Sequence, residues 1–410
     1  MNRVPEGVHA PAADAAAQTA RLQGKPLVLF LTLLAALGML ATNMYLASFP
    51  SIAQDLLASP AQVRLTLTVF LISFAFGQLV IGPLSDRFGR RPLLIAGLAI
   101  YALAGALCAL AVNLESLLAF RVAQAIGACT GQVLARAVAR DIFKGDELTR
   151  SISFITTFVA AAPGFSPLIG GLIETFFGWR ATFVLLAAVG VLATVVVWAR
   201  IEETNRNRSA SLSLGQAFVS YFSLLRHAGF VIPIAATTCA MAGLFAFFAS
   251  APLIFIDEFG VPPALFGLIP CFTVFAVFAG GVSAPRLSKR WPGAGPMLAG
   301  LIFMLAGSGG MLAFALAGQS GMAQVLGTLV IFLFGMGIVN PLTTVAALRP
   351  FPDRAGAASA MIGFFQMAGG AVGTIALGLL PASILVALPI VMAISAALGL
   401  LAIAIGRQRI

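Results

Sequence analysis

The chain has 410 residues, of which 60% are hydrophobic and 9% charged. A soluble domain keeps about 25% charged residues to hold its surface in water, so water is excluded as the medium around most of this chain. The net charge of +10 falls in small basic clusters between apolar runs, not in one stripe with interleaved aromatics; this excludes a nucleic-acid surface and fits the sidedness of a membrane protein.

Residues 1–24 are polar and Ala-rich, with Arg3 and Arg21, and Lys25 follows. A cleaved signal peptide carries its small residues after the apolar core. Here the alanines precede it, which predicts a disordered cytoplasmic tail over 1–24 and an uncleaved first helix. Each crossing of a bilayer takes ~20 mostly apolar residues. Apolar runs of that length predict spans 1–12 at 27–49, 62–84, 92–112, 114–136, 151–173, 179–200, 228–254, 264–284, 296–317, 323–347, 356–380 and 384–406.

Taken in-out-in, this layout puts 21 of the 24 Lys and Arg on one side. Only Arg64 and Arg180 lie opposite, and Arg121 lies within span 4. The positive-inside rule then places both termini in the cytoplasm. The longest internal break, 201–227, opens with Glu202, Glu203, Arg206 and Arg208. Leu212, Leu214, Phe218, Tyr221, Phe222 and Leu225 follow at roughly helical spacing, as in a short helix lying on the inner membrane face. The expected fold is an all-α membrane protein: a six-helix bundle over 25–200, a linker over 201–227, and a second six-helix bundle over 228–410. A short repeat supports the division. Leu84-Ser85-Asp86-Arg87-Phe88-Gly89 follows span 2, and Leu287-Ser288-Lys289-Arg290-Trp291-Pro292-Gly293 follows span 8, as parallel repeats about the membrane normal require.

Cys108, Cys129, Cys239 and Cys271 all lie in apolar segments without a Cys-x-x-Cys pair, and read as small packing residues. His9 and His227 fall outside the spans, which leaves little for a metal site. No cofactor is expected. The spans hold no histidine, no aspartate at mid-membrane and no Gly-x-Ser-x-Gly, so an intramembrane enzyme lacks its catalytic groups.

The segment Gly82-Pro83-Leu84-Ser85-Asp86-Arg87-Phe88-Gly89-Arg90-Arg91-Pro92 carries the most specific spacing. Its glycines are expected to let the chain turn between helices. Asp86 is expected to accept from arginines or a helix N-terminus, a charged pin that can be made and broken. This segment resembles the loop 2–3 signature of the major facilitator superfamily. Leu117 to Ala128, around Arg121 and Gln124, resembles the family's helix-4 motif, and Arg136-Ala137-Val138-Ala139-Arg140-Asp141 its cytoplasmic end. Pro163-Gly164-Phe165-Ser166-Pro167-Leu168-Ile169-Gly170-Gly171 in span 5 looks like the antiporter motif, with Ser166 where glycine is usual. With Asn43 to Pro50 and Ala355 to Ala360, the similarity is to the bicyclomycin/chloramphenicol-resistance (Bcr/CflA) exporters, over about residues 30–400. The resemblance implies a two-bundle fold, a monomer, alternating access, and export of a drug-like small molecule against protons across the bacterial inner membrane.

Arg121 in a span costs at least ~2.5–3.5 kcal/mol by insertion scales, so it is expected to face a cavity or a partner, with snorkelling towards the outer end as the alternative. Asn43, at similar depth in span 1, is expected to meet it across the central cavity, beside Tyr45. The resembled exporters have aspartate where this chain has Asn43, and asparagine cannot carry a proton. Three readings stay open: Glu115, on the helix of Arg121, replaces the acid; Asp86 or Asp141 titrates at the inner gate; or transport is not proton-driven. Phe245, Phe247, Phe248, Phe255, Phe364 and Phe365 are candidates for a lipophilic pocket, and Gln78, Gln124, Asn340 and Gln366 for its polar contacts, since each is costly in lipid unless satisfied. Such a pocket suits a neutral solute such as an amphenicol. Uptake of a nutrient or metabolite by the same fold is the alternative. In span 5, Pro163, Pro167, Gly170 and Gly171 are expected to bend the helix and seal the cavity against leak.

Overall fold

The computed structural model describes residues 23–205 and 214–407. Most of the expected tail, and Arg206, Arg208 and Leu212 of the linker, lie outside the described residues. Within them are twelve helices long and apolar enough to cross a membrane. Their bounds are Gly24–Asp55, Pro60–Phe88, Arg90–Ala109, Leu114–Ile142, Gly145–Phe177, Trp179–Arg200, Ala228–Glu258, Pro263–Arg290, Gly295–Leu316, Met322–Leu348, Ala355–Leu379 and Ile384–Gly406. A linker helix, Leu214–Leu225, joins the sixth span to the seventh.

Several spans outrun their apolar runs, because charged residues beyond the hydrocarbon still favour the helix. Span 2 starts on a Ser59 capping box with Gln62 and Pro60 at its first turn, which satisfies backbone donors that a helix start leaves open. It continues through Leu84 to Phe88, so the segment expected to be a turn is helical. Gly89 alone makes the turn, at φ +102°, a conformation a side chain resists. Gly82 sits within the helix.

Span 1 is not one continuous helix. Its α-helix ends at Asn43, a 3₁₀ segment covers Met44–Ser48, and α-helix resumes over Phe49–Asp55 with Pro50 in its first turn. Pro50 has no N–H to continue the ladder.

The packing of spans 1–6 repeats in spans 7–12. Span 4 packs on spans 1, 2 and 3, as span 10 does on 7, 8 and 9. Span 3 lies against span 6, as span 9 lies against span 12. Spans 2 and 11 meet across the halves, as do spans 5 and 8. The first of these seams is tied by Thr68 and Thr374, whose hydroxyls are 2.7 Å apart. Close approach depends on glycine: a Cβ on Gly127 would lie 2.5 Å from the Gly97 carbonyl oxygen and 2.6 Å from the Tyr101 nitrogen. Gly127→Ala is therefore expected to prise span 4 from span 3, at about 1–3 kcal/mol for overpacking, read as a lower thermal midpoint in detergent. Gly309→Ala, where an added Cβ meets nothing within 4 Å, should leave the midpoint unchanged.

Candidate functional site

The buried charge of span 4 sits in an aromatic cage. Arg121 is 0% exposed. Its guanidinium carbon lies 4.3 Å from the ring centres of both Tyr45 and Phe70 and 5.7 Å from that of Phe183. Cation–π attraction is strongest where water is excluded, so three rings stand in for a carboxylate. One Nη donates to the Ala41 carbonyl at 3.0 Å and to Gln124 Oε1 at 2.7 Å. Ala41 precedes the break in span 1, so Arg121 supports a carbonyl at the point where that helix leaves the α ladder.

Asn43 is also 0% exposed. Its amide donates to Met39 O at 2.8 Å and to Thr42 Oγ1 at 3.0 Å, so the side chain serves its own helix and does not bond Arg121. Tyr45 turns its hydroxyl to Thr66, 3.1 Å away. Asn43, Tyr45, Arg121 and Gln124 thus come together inside the first six spans, but they do not border open space in this conformation. Glu115 is apart from them: it is exposed, in the first turn of span 4, where a helix N-terminus favours a negative charge.

Open space between the halves lies at the basic end. A cavity of about 330 Å³ is lined by span 2 (Gln78, Gly82, Asp86), the first residue of span 3 (Arg90), span 4 (Arg136, Arg140), the linker helix (Tyr221) and span 11 (Gly356, Ser359). Gln78 is wedged against Gly363 of span 11, where an added Cβ would lie 2.3 Å from its Oε1. Asn340 and Gln366 are joined at 3.2 Å. Phe245, Phe247, Phe248 and Phe255 are buried in the packing of span 7. Phe364 and Phe365 are half-buried, and Phe364 crosses to Phe76 of span 2 at 5.7 Å.

Beside the cavity, Asp86 pairs with Arg90 at 2.5 Å, and Arg90 reaches Asp141 at 3.3 Å. Arg91 donates to the Trp198 carbonyl at 2.7 Å. Arg87 is exposed and lies over Phe88. Glu203, which sequence reasoning noted only as the start of the linker, accepts from the backbone N–H of Arg90 at 2.9 Å and of Arg91 at 3.3 Å. Asn205 donates to the Asp86 carbonyl at 2.8 Å, and Thr204 to Asp141 Oδ2 at 2.9 Å. The segment after span 6 thereby caps span 3, a task no motif announced. Tyr221 donates to the Leu79 carbonyl at 2.9 Å. Burial first, and then the nearby Asp86 carboxylate, push its phenol up to about 12, so it remains a donor at neutral pH.

The opposite end is shut by span 5. A Cβ on Gly170 would lie 1.7 Å from the Met44 carbonyl oxygen, and one on Gly171 would lie 2.1 Å from that of Pro263 in span 8. Pro167 is buried beside them, Pro163 is half-buried, and the Ser166 hydroxyl is spent on Ala162 O at 2.7 Å.

Two six-span sets meeting along spans 2–11 and 5–8, closed at one end and open between the halves at the other, define a membrane transporter and not an enzyme. The model of the Major Facilitator Superfamily matches residues 31–374, and the chain belongs to that family. It is 32% identical over 369 residues to the bicyclomycin resistance protein homolog of Haemophilus influenzae, covering 85% of this chain and 89% of that one. It is 31% identical over 356 residues to the chloramphenicol resistance protein of Pseudomonas aeruginosa, covering 85% and 82%. Against multidrug resistance protein D of Escherichia coli it is 30% identical over 354 residues, covering 84% and 86%. Solved structures share the fold at low identity: a peptide transporter at TM-score 0.75 and 13% identity, covering 98% of this chain and 99% of that one, and a D-xylose–proton symporter at 0.72 and 15%, covering 91% and 96%.

Gly170→Leu should drive the Met44 segment off span 5 while span 5 keeps the hydrophobicity needed to insert. The expected result is transport near background with normal membrane levels, measured as cargo accumulation in cells beside an immunoblot of the membrane fraction.

Proposed function

We propose that the chain exports neutral, drug-like molecules from the cytoplasm across the bacterial inner membrane, as a monomer working by alternating access with both termini inside. The single observation that carries this reading is the match, at 30–32% identity over 84–85% of the chain, to three proteins named for multidrug, bicyclomycin or chloramphenicol resistance. The geometry agrees with it. Phe364, Phe365, Asn340 and Gln366 are half-buried near the seam of spans 2 and 11, and rings and amides of this kind suit a lipophilic solute such as an amphenicol. The open end is the basic one, so this conformation takes its cargo from the cytoplasm.

Export is driven, in this reading, by proton antiport. Asn43 cannot carry the proton, and Glu115 lies exposed outside the cage. Asp86 is the acid lining the cavity between the halves among the described residues. In this reading the coupling runs through Asp86, whose pairing with Arg90 is broken and made during the cycle.

A panel of amphenicols and other neutral antibiotics, with accumulation measured in a pump-deficient host, tests the export reading; unchanged accumulation for every compound would remove it. Proton release on adding an effluxed compound to purified protein tests the coupling. Wild type is expected to release protons and Asp86→Asn to lose the signal. Release undiminished in Asp86→Asn, but lost in Glu115→Gln, would move the carrier to span 4.

A further inference from the structure

The cavity at the basic end gathers more positive charge than its walls neutralise. Asp86, Arg90, Arg136, Arg140 and Arg354 all line it. Arg90 takes up both nearby carboxylates, Asp86 and Asp141. Among the described residues no carboxylate lies within 4.0 Å of Arg136, Arg140 or Arg354. Arg136 and Arg140 stand one turn apart on span 4, where like charges oppose each other, and Arg136 is half-buried.

Across the cavity, Arg354 precedes the first turn of span 11 and donates to Ser223 Oγ at 2.8 Å. That first turn has no side-chain cap, and Gly356 and Ala357 in it line the same space. A helix start offers free N–H groups and a positive dipole end. Arginines from both halves of the protein and an uncapped helix thus converge on one space of about 330 Å³. Guanidinium forks match tetrahedral oxyanions in shape as well as charge.

We propose that this cavity binds an oxyanion of the phosphate class, bridging Arg136 and Arg140 of span 4 to Arg354 and the first turn of span 11. The bound anion fastens the two halves at their cytoplasmic ends. Inorganic phosphate and the headgroup phosphate of an anionic lipid present the same oxygens, so either source satisfies the site. Asp86, turned to Arg90, leaves the span 4 and span 11 walls to the ligand. The inference does not depend on the exported cargo.

The test is thermal unfolding of the full-length protein in neutral detergent, titrated with inorganic phosphate and, at matched ionic strength, with chloride. A parallel series uses nanodiscs of phosphatidylcholine with and without phosphatidylglycerol. Wild type is expected to gain a saturable rise in midpoint with phosphate and not with chloride. Arg136→Gln and Arg354→Gln should each weaken the apparent affinity by about tenfold, the worth of one charge-assisted bond. Arg354 is exposed, so its variant keeps the test readable if Arg136→Gln fails to fold. A rise produced by phosphatidylglycerol alone, and lost in Arg354→Gln, assigns the site to lipid. Equal rises with phosphate and chloride, rises untouched by Arg354→Gln, or no rise from either source would overturn the proposal.

Discussion

Arg121 is a guanidinium buried among three rings, with no carboxylate within 4.0 Å among the described residues, and the shape of span 1 depends on it. Burying an unpaired charge is costly, and here the cost is offset by ring faces, by Gln124 and by the Ala41 carbonyl. That carbonyl marks where span 1 gives up its α ladder. The 3₁₀ segment that follows presents the Met44 carbonyl to Gly170 of span 5, and the next residue, Gly171, meets Pro263 of span 8. Interior charge, helix break and closure of the far end thus form one line of contacts that runs from the first half of the protein into the second.

The basic end is built on a different principle. Its charges are near water and exchange partners at little cost, so the arrangement around Asp86, Arg90 and Asp141 is suited to being remade. Its rigidity comes from backbone capping. Glu203 satisfies the N–H groups of Arg90 and Arg91, and Asn205 holds the Asp86 carbonyl. Side chains above that frame are free to switch while the frame stays fixed.

The twelve crossings were legible in the sequence because each leaves its own apolar run, and even the short break between Leu379 and Ile384 separates two. Helix ends were less legible: span 2 reaches Phe88 and span 4 reaches Ile142, since hydropathy reports the lipid and not the helix. The break at Met44–Ser48 is mostly apolar, and Pro50 was its only signal. Arg121 stood out as a lone charge, but its surroundings did not. Tyr45, Phe70 and Phe183 come from three different spans, and no local spacing brings them together. Glu203 was hidden for the same reason, lying 113 residues from Arg90.

That separation along the chain bears on biosynthesis. Span 3 begins at Arg90, yet the carboxylate that caps it is translated only after all of spans 3 to 6. Until then the first amides of span 3 must be held by water or headgroups at the membrane surface. The end of span 2 around Asp86, with the turn at Gly89, is therefore among the last parts of the first bundle to settle, and a nascent chain released at residue 200 would carry all six of that bundle's spans and still lack a finished gate.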